Sequence, residues 1–185
     1  ISGLEINISC PNIKKGGISF GTNPRMAARV IGAVRRASRL PIMPKLSPSC
    51  ASIAEMARAA EDSGADAISL INTIPAMVID IERRRPVLAN GVGGLSGPAI
   101  HPVAVRMVWE AARAVKIPVV GMGGIRDARD AIEFLIAGAS AVAVGTATFG
   151  DPETPLKVVQ GMAEYLKRHK MKRVADLVGT LRARS

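Results

Sequence analysis

Hydrophobic residues along the chain are concentrated in short runs, which alternate with longer amphipathic stretches. The runs are rich in Ile, Val and Ala and predict five β-strands, at Leu4–Ser9, Ile42–Leu46, Ala67–Asn72, Pro118–Gly121 and Ala141–Gly145. The amphipathic stretches predict five helices, at Pro24–Leu40, Ala51–Gly64, Pro102–Val115, Ala128–Gly138 and Pro155–His169. The chain is therefore expected to contain a strand–helix unit that is repeated five times.

Several predicted helix boundaries carry residue types that favour the ends of helices. Asn23 precedes Pro24 and suits an N-cap followed by a first-turn proline, and Asp127 stands at the corresponding position before a later helix. Gly64 and Gly138 stand where two helices are expected to end. Each helix is thus expected to end close to the start of the next strand.

The predicted strands are apolar on both faces, as segments 68–71 and 141–144 illustrate. Such strands belong to a parallel sheet that is covered by helices, which leaves a doubly wound sheet or a barrel. Polar residues or glycine follow every strand at its C-terminal end, as in a barrel with one rim that carries the chemistry. Segments 121–124 and 145–146 would then form the phosphate site after the last two strands. The predicted fold is α/β, a (β/α)8 TIM barrel.

Composition and charge exclude several classes of function. Apolar residues make up 48% and aromatic residues 3% of the 185 residues, which suits packed parallel strands but not an aromatic platform for nucleic acid. The net charge of +10 is therefore assigned to solvated helix faces and to the attraction of anionic ligands. No apolar run approaches the roughly 20 residues that span a bilayer, and neither a signal peptide nor a disulfide framework is evident. A cytoplasmic protein is expected.

The segment at positions 7–12, Asn-Ile-Ser-Cys-Pro-Asn, carries the strongest chemical signal. It places the thiol of Cys10 after a strand and between the amides of Asn7 and Asn12, and Pro11 restricts the backbone of Cys10 to an extended or turn conformation. A thiol, with an ordinary pKa of about 8.5, can take a proton from carbon if a cofactor removes the hydride. The alternative is that Cys10 is a small buried hydrophobic residue before a turn.

Two further strand ends carry candidate binding residues. Lys45 ends the second strand, and a lysine that faces the inside of a barrel needs an anionic or electron-rich partner, whereas one on the other face reaches solvent. Asn72 and Thr73 end the third strand and offer an amide and a hydroxyl group to a ligand. A cap or turn role is the alternative for this pair.

Glycine-rich segments at positions 93–98, 121–125 and 145–146 are candidates for binding phosphate. Glycine lets backbone N–H groups approach a phosphate closely, and the first of these segments leads into a predicted helix. A single such segment can mark an ordinary turn, but two at successive strand ends indicate a phosphate site. The other noted side chains are expected to be structural, with no metal site: Met107, Met162 and Trp109 in helix packing, His101 and His169 isolated, and Cys50 without a metal-ligand partner.

The segment at positions 7–12 and the glycine-rich segments together resemble class I dihydroorotate dehydrogenases. The resemblance covers essentially all 185 residues, from the first strand to a terminal helix that is expected at Lys172–Leu181. It implies FMN-dependent oxidation of dihydroorotate to orotate in pyrimidine biosynthesis, with Cys10 as the catalytic base. It implies that the substrate is held by Asn7, Asn12, Asn72 and Thr73. It implies that FMN is contacted by Lys45, Ile71, Gly97, Gly123, Gly124, Gly145 and Thr146.

The amino-acid sequences of the glycine-rich segments resemble the class IB branch in particular. This implies a homo-oligomeric catalytic subunit with a partner subunit that carries FAD and an iron–sulfur cluster and passes electrons to NAD. Class IA, which uses fumarate, stays an alternative. A dihydropyrimidine dehydrogenase is a second alternative, against which Asn12 speaks because that family usually has histidine there. A third is a non-catalytic phosphate-binding barrel fragment.

The number of predicted strands is too small for a closed barrel. Because five strands cannot close an eight-stranded barrel and the sequence starts at Ile1, we expect residues 1–185 to be the C-terminal part of one FMN-binding TIM-barrel domain, about the last five βα units. About three units, on the order of a hundred residues, would precede it. Open edges at Leu4–Ser9 and Ala141–Gly145 would then make the 185-residue chain self-associate and bind FMN poorly.

Overall fold

Five parallel strands form the central sheet of the protein. The structure is a computed structural model that describes residues 1–8 and 17–182. The strands pair in the order β1-β2-β3-β8-β9, every neighbouring pair being parallel. Their bounds are Leu4–Asn7 (β1), Ile42–Leu46 (β2), Ile68–Leu70 (β3), Val119–Met122 (β8) and Ala141–Ala143 (β9). The predicted parallel α/β arrangement is therefore confirmed.

Helices connect the strands of this sheet. Their bounds are Gly17–Thr22 (α1), Pro24–Ala37 (α2), Ile53–Asp62 (α3), His101–Ala112 (α4), Ala128–Ala137 (α5), Ala147–Gly150 (α6) and Thr154–Arg168 (α7). The helices α2 to α5 and α7 correspond to the five predicted ones, most of them shorter at the C-terminal end. The short helices α1 and α6 were not predicted, because four to six residues are too few to produce a helical period.

The predicted helix caps form as expected. The side chain of Asn23 accepts hydrogen bonds from the backbone N–H groups of Arg25 and Met26, at 3.0 and 3.3 Å. Asp127 does the same for the first turn of α5, at 2.8 and 3.1 Å. Gly138 follows that helix with a φ of 120°, a conformation that glycine adopts most easily.

The hydrophobic core lies between the sheet and its helices. Ile68 and Leu70 of β3, Val108 of α4 and Phe134 of α5 are fully buried in it. The strand β3 is central in the sheet and all its residues are buried, so it is covered on both faces, as its apolar sequence predicts. Trp109 is an exception to the expected helix packing, since it is 36% exposed and instead lies 5.0 Å from the guanidinium of Arg113.

An antiparallel excursion separates β3 from α4, and the sequence did not predict it. It consists of two pairs of short strands: Ile74–Ala76 (β4) with Gly93–Leu95 (β7), and Ile79–Asp80 (β5) with Arg85–Pro86 (β6). Segment 93–95 is thus a strand, not part of a glycine-rich loop. A Cβ on Gly94 would lie 2.2 Å from the Thr73 hydroxyl, so glycine here serves the close approach of the strand to Thr73.

The predicted helix at Lys172–Leu181 is wrong. The structure has a single 3-10 turn at Val174–Leu177, and Gly179 leaves it with a φ of 71°. The N–H groups of Gly179 and Leu181 donate to carbonyls of α5, those of Leu135 and Ile136, so another helix holds the end of this segment. Among the described helices, none has the length and apolarity that crossing a membrane requires.

Candidate functional site

A cavity of about 320 Å³ lies at the C-terminal edge of the central sheet. Its position follows from the topology, because the C-terminal ends of parallel strands meet at one edge. The wall includes nine of the residues that the sequence singles out: Lys45, Ile71, Asn72, Thr73, Gly97, Gly123, Gly124, Gly145 and Thr146. Candidates that are separated by as much as a hundred residues in sequence are therefore brought to one place.

The end of β1 and the segment after β3 form the polar side of the site. The strand register sets Asn7 beside Lys45, and the Asn72 side chain donates a hydrogen bond to Asn7 Oδ1 at 3.3 Å. Asn72 Oδ1 in turn accepts from the backbone N–H of Thr73 at 2.8 Å. Two of the predicted substrate-binding amides thus contact each other directly. Such a pair can offer both donors and acceptors to a planar polar ring.

The turn formed by Gly123 and Gly124 lies against the start of α4. The two residues have φ values of 133° and 72°, in the left-handed region that favours glycine. A Cβ on Gly124 would lie 2.7 Å from the carbonyl oxygen of Gly97 and 2.8 Å from the Cβ of His101. The turn therefore brings its backbone, with no intervening side chain, to the cavity wall.

The segment after β9 completes the cavity wall. The Thr146 hydroxyl donates to the Ser96 hydroxyl at 2.8 Å and so joins this segment to the one that precedes α4. A Cβ on Gly145 would meet no protein atom within 4 Å. A side chain at Gly145 would occupy open space at the wall, which is the situation expected where a ligand approaches the backbone. The glycine backbones and the Thr146 and Ser96 hydroxyls fit the phosphate end of FMN, and Lys45 fits its ring end.

Two further polar residues of the site, Glu5 and Ser96, were missed by the sequence analysis. Glu5 lines the cavity and accepts a hydrogen bond from the buried Ser69 hydroxyl at 2.6 Å. Glu5 stands two residues before Asn7 on the same strand, so the side chains of both residues lie on one face. The alternation of side chains along a strand could therefore have predicted it. Ser96 lies in the segment at positions 93–98, whose predicted role rested on its glycines alone.

His101 is not isolated, contrary to the prediction. Its ring lies behind the Gly123–Gly124 turn, with Nδ1 at 3.3 Å from the carbonyl oxygen of Gly123 and Nε2 at 3.2 Å from a carboxylate oxygen of Glu133. The ring packs edge-on against Phe134, with the centroids 5.3 Å apart. No run of residues signals this contact, because its partners lie 22 and 32 positions away in sequence.

A buried carboxylate, that of Asp130, supports the same turn. Burial by itself would raise the pKa of Asp130, but hydrogen bonds from the side chain and backbone N–H of Arg126, together with the positive charge of His101, lower that pKa overall. Asp130 therefore carries a negative charge at neutral pH although it is only 4% exposed. It fixes the end of the segment that runs from Gly124 into α5.

Two of the predicted site residues, Cys10 and Asn12, lie outside the described residues, as do Ser9 and Pro11. The other cysteine, Cys50, lies away from the cavity, and burial raises the pKa of its thiol. Within residues 1–8 and 17–182, no group of three His, Cys, Asp or Glu side chains could hold a metal ion.

Comparison with known proteins finds relatives of one family. The model of the family described as dihydroorotate dehydrogenase matches residues 1–166. Catalytic subunits of dihydroorotate dehydrogenase B (NAD(+)) from Pelobacter propionicus and Bacteroides fragilis are 56% and 52% identical over 181 residues, which is 98% of this chain. The chain spans about 60% of the length of these curated relatives.

A solved structure confirms the barrel fold. The dihydroorotate dehydrogenase of Eimeria tenella, crystallised with ferulenol, superposes with a TM-score of 0.81 over 97% of this chain and 54% of its own, at 23% identity. At that identity the likeness speaks for the fold alone. The family match over residues 1–166 and the identity of more than half to the bacterial relatives establish more. This chain belongs to the dihydroorotate dehydrogenase family.

Proposed function

We propose that the full-length protein oxidises dihydroorotate to orotate with FMN as its cofactor, in pyrimidine biosynthesis. The observation that carries the proposal is the single cavity at the C-terminal edge of the sheet, into which nine matched residues converge. Residues 1–185 would form the C-terminal part of one FMN-binding barrel domain. The names of the bacterial relatives, dihydroorotate dehydrogenase B (NAD(+)) catalytic subunits, support the same activity.

The cofactor end of the cavity would be held by backbone and hydroxyl groups. N–H groups of the segments at 123–124 and 145–146 would bind the phosphate, with Gly97 close behind them and Ile71 against the ring. The Lys45 ammonium group would supply positive charge beside the ring. When bound, FMN supplies the chemistry of accepting a hydride from C6 of the substrate.

The substrate end would be held by amides and a hydroxyl group. Asn7 and Asn72, which contact each other, would orient the ring of the substrate together with Asn12 and Thr73. Such positioning lowers the barrier by fixing the reacting atoms before the reaction. Cys10 would take the proton from C5, a role supported by its place in the segment Asn-Ile-Ser-Cys-Pro-Asn.

Replacement of the proposed base tests this assignment in the full-length protein. Cys10→Ala should lower kcat by roughly 10²- to 10⁴-fold, the usual contribution of general base catalysis, while FMN stays bound. Cys10→Ser should retain more activity at high pH than at neutral pH, because a hydroxyl group loses its proton only at a higher pH than a thiol does. Cys50→Ala is the matched control, since Cys50 lies away from the cavity. Turnover of Cys10→Ala at the wild-type rate would contradict the assignment.

The electron acceptor is proposed to be NAD, reached through a separate subunit that carries FAD and an iron–sulfur cluster. The relatives' names, which include NAD(+) and a catalytic subunit, support this over the fumarate-using alternative. Purified protein should therefore reduce NAD with dihydroorotate only when the second subunit is added, and fumarate should not replace NAD. We further propose a cytoplasmic homo-oligomer as the working form.

Substrate choice separates this proposal from its rivals. Dihydroorotate should be oxidised at least a hundredfold faster than dihydrouracil, because dihydrouracil lacks the carboxylate of dihydroorotate and would leave the polar partners of that group unpaired in a buried site. A preference for dihydrouracil would indicate a dihydropyrimidine dehydrogenase. Absence of flavin absorbance in the purified full-length protein would instead favour a non-catalytic barrel.

A further inference from the structure

The imidazole of His101 occupies a nearly enclosed position between the Gly123–Gly124 turn and α5. Its side chain is 13% exposed, and neither the cavity wall nor the matched site residues include it. One ring nitrogen, Nδ1, is 3.3 Å from the carbonyl oxygen of Gly123. The other, Nε2, is 3.2 Å from Glu133 Oε2 and 3.8 Å from Asp130 Oδ1. The ring thus spans the space between the turn and two carboxylates.

The partners of the two ring nitrogens determine the protonation state that the contacts require. A backbone carbonyl and a carboxylate only accept hydrogen bonds, and a neutral imidazole has only one N–H donor. Both contacts of His101 can therefore form together only when the ring is an imidazolium ion. Among the described residues, the charged groups around it are Asp130 and Glu133, with Arg126 bound to Asp130 and Arg129 3.9 Å from Glu133.

The contact with Gly123 also fixes the orientation of the next N–H group. In a trans peptide the C=O and N–H bonds point in opposite directions, so a Gly123 carbonyl that faces His101 directs the N–H of Gly124 away from it. Both glycines line the cavity. Glycine has the widest choice of backbone conformations, so these two residues constrain the orientation of the peptide group less than other residues would.

We propose that His101 is a positioning residue that, as an imidazolium ion, bridges the Gly123 carbonyl and the α5 carboxylates and so sets the Gly124 N–H toward the cofactor phosphate. This rests on the proposed function, because the ligand of the turn is the phosphate group of FMN. It makes phosphate affinity depend on the protonation of a residue that does not touch the cofactor. Deprotonation of His101 removes one of the two bridging hydrogen bonds, so the ring no longer joins the turn to the α5 carboxylates and holds the peptide group less firmly.

Two variants of the full-length protein separate the charge of His101 from its bulk. His101→Lys keeps a cation that can donate to Glu133, and His101→Gln is neutral at every pH. Dissociation constants for FMN and for riboflavin, which lacks the phosphate, are measured by flavin fluorescence from pH 5.5 to 8.5, a range that brackets imidazole titration. The affinity for riboflavin measures binding at the ring end of the cavity alone. The pH profile of His101→Lys shows how titration of the FMN phosphate itself changes the affinity, so the wild-type profile is compared with it.

We expect wild-type FMN affinity to match that of His101→Lys at pH 5.5 and to fall, relative to it, by roughly five- to tenfold toward pH 8.5, as loss of a hydrogen bond to a charged group predicts. His101→Gln should show the weaker affinity at every pH, and riboflavin affinity should stay within about twofold in all three proteins. Parallel profiles for the wild type and His101→Gln, or an equal loss for riboflavin, would overturn the proposal.

A second readout separates this proposal from the proposed function. If the wild-type protein binds no FMN, the proposed function is wrong, and the role of His101 is then decided by amide hydrogen exchange over residues 121–125. Faster exchange there in His101→Gln than in His101→Lys, corrected for the intrinsic rates, supports the positioning role. Equal exchange in the two variants rejects it.

Discussion

Gly124 and Gly145 follow neighbouring strands and line the same cavity, yet they are glycine for different reasons. At Gly124 the φ is 72°, and a Cβ would lie 2.7 Å from the Gly97 carbonyl oxygen. At Gly145 a Cβ would have no protein atom within 4 Å. The first glycine is required by the packing of the protein itself. The second leaves open space at the wall of the cavity, which we expect a bound ligand to use. Substitutions should therefore separate stability from binding.

The largest effect is expected at Gly124. Gly124→Ala adds left-handed backbone strain and overpacking against Gly97 and His101, and should lower the free energy of unfolding by about 2–5 kcal/mol. Urea denaturation of the FMN-free full-length protein measures the change. FMN affinity should fall as well, because the turn must shift away from its position at the cavity wall.

A second glycine separates the two causes of that loss. Gly91 has a similar φ of 75°, but a Cβ there would meet nothing within 4 Å. Gly91→Ala should therefore cost only the backbone strain, about 1–2 kcal/mol, and leave FMN affinity unchanged. Equal losses of stability in Gly91→Ala and Gly124→Ala would show that packing against α4 contributes nothing.

The complementary substitution, Gly145→Ala, should change binding and not stability. Because no protein atom opposes the added methyl group, the free energy of unfolding should stay within about 0.5 kcal/mol of wild type. The methyl group would take up space needed by the phosphate, so FMN affinity should fall by at least about tenfold, or 1.4 kcal/mol. Equilibrium dialysis with FMN and urea denaturation without it measure the two effects.

Gly150→Ala is the control for this substitution. Gly150 also has open space at its Cβ position, but it stands at the end of α6 and does not line the cavity. Its replacement should change neither quantity. Unaltered FMN affinity in Gly145→Ala would mean that the open space at Gly145 is not a ligand site and would remove the contrast between the two glycines.

The contrast between the two glycines also marks what the sequence can predict. Periodicity predicts the strand Ile42–Leu46 at its observed bounds. Barrel topology then predicts that the strand ends with Lys45, Gly123 and Gly145 meet at one rim, where all three residues line the cavity. Sequence alone treats Gly124 and Gly145 alike. Only the distances from their Cβ positions to other atoms distinguish a glycine that packing requires from one that leaves open space at the cavity wall.

Other features could not be predicted from the sequence, because their strands are too short or because the residues in contact are far apart along the chain. The excursion from β4 to β7 consists of strands of two or three residues, which are too short for an alternation pattern. The interaction of His101 with Glu133 joins α4 to α5, and a lone histidine at a helix start gives no sign of it. The segment after Lys172 is helix-like in composition, but its backbone N–H groups at Gly179 and Leu181 bond to α5 instead.

A further effect on stability is expected behind the turn, at Asp130, a residue that packs against the Gly124 side of the cavity and does not line it. Asp130→Asn removes the charge that accepts from Arg126 and should lower the free energy of unfolding by about 1–3 kcal/mol at pH 7, with less change in FMN affinity than His101→Gln produces. Asp127→Asn is the matched control, because asparagine also caps a helix and the neighbouring charge is removed in the same way.

The pH dependence of stability gives this last prediction its sign. The folded-state pKa of Asp130 is lowered, so its contribution to stability is present above the unfolded-state value, about 3.9 for aspartate. That contribution is lost as the pH falls through the lower, folded-state pKa. The stability difference between the wild type and Asp130→Asn should therefore be constant near neutral pH and shrink below about pH 4. A difference that grew on acidification would mean that burial, and not Arg126, dominates the ionisation of this carboxylate.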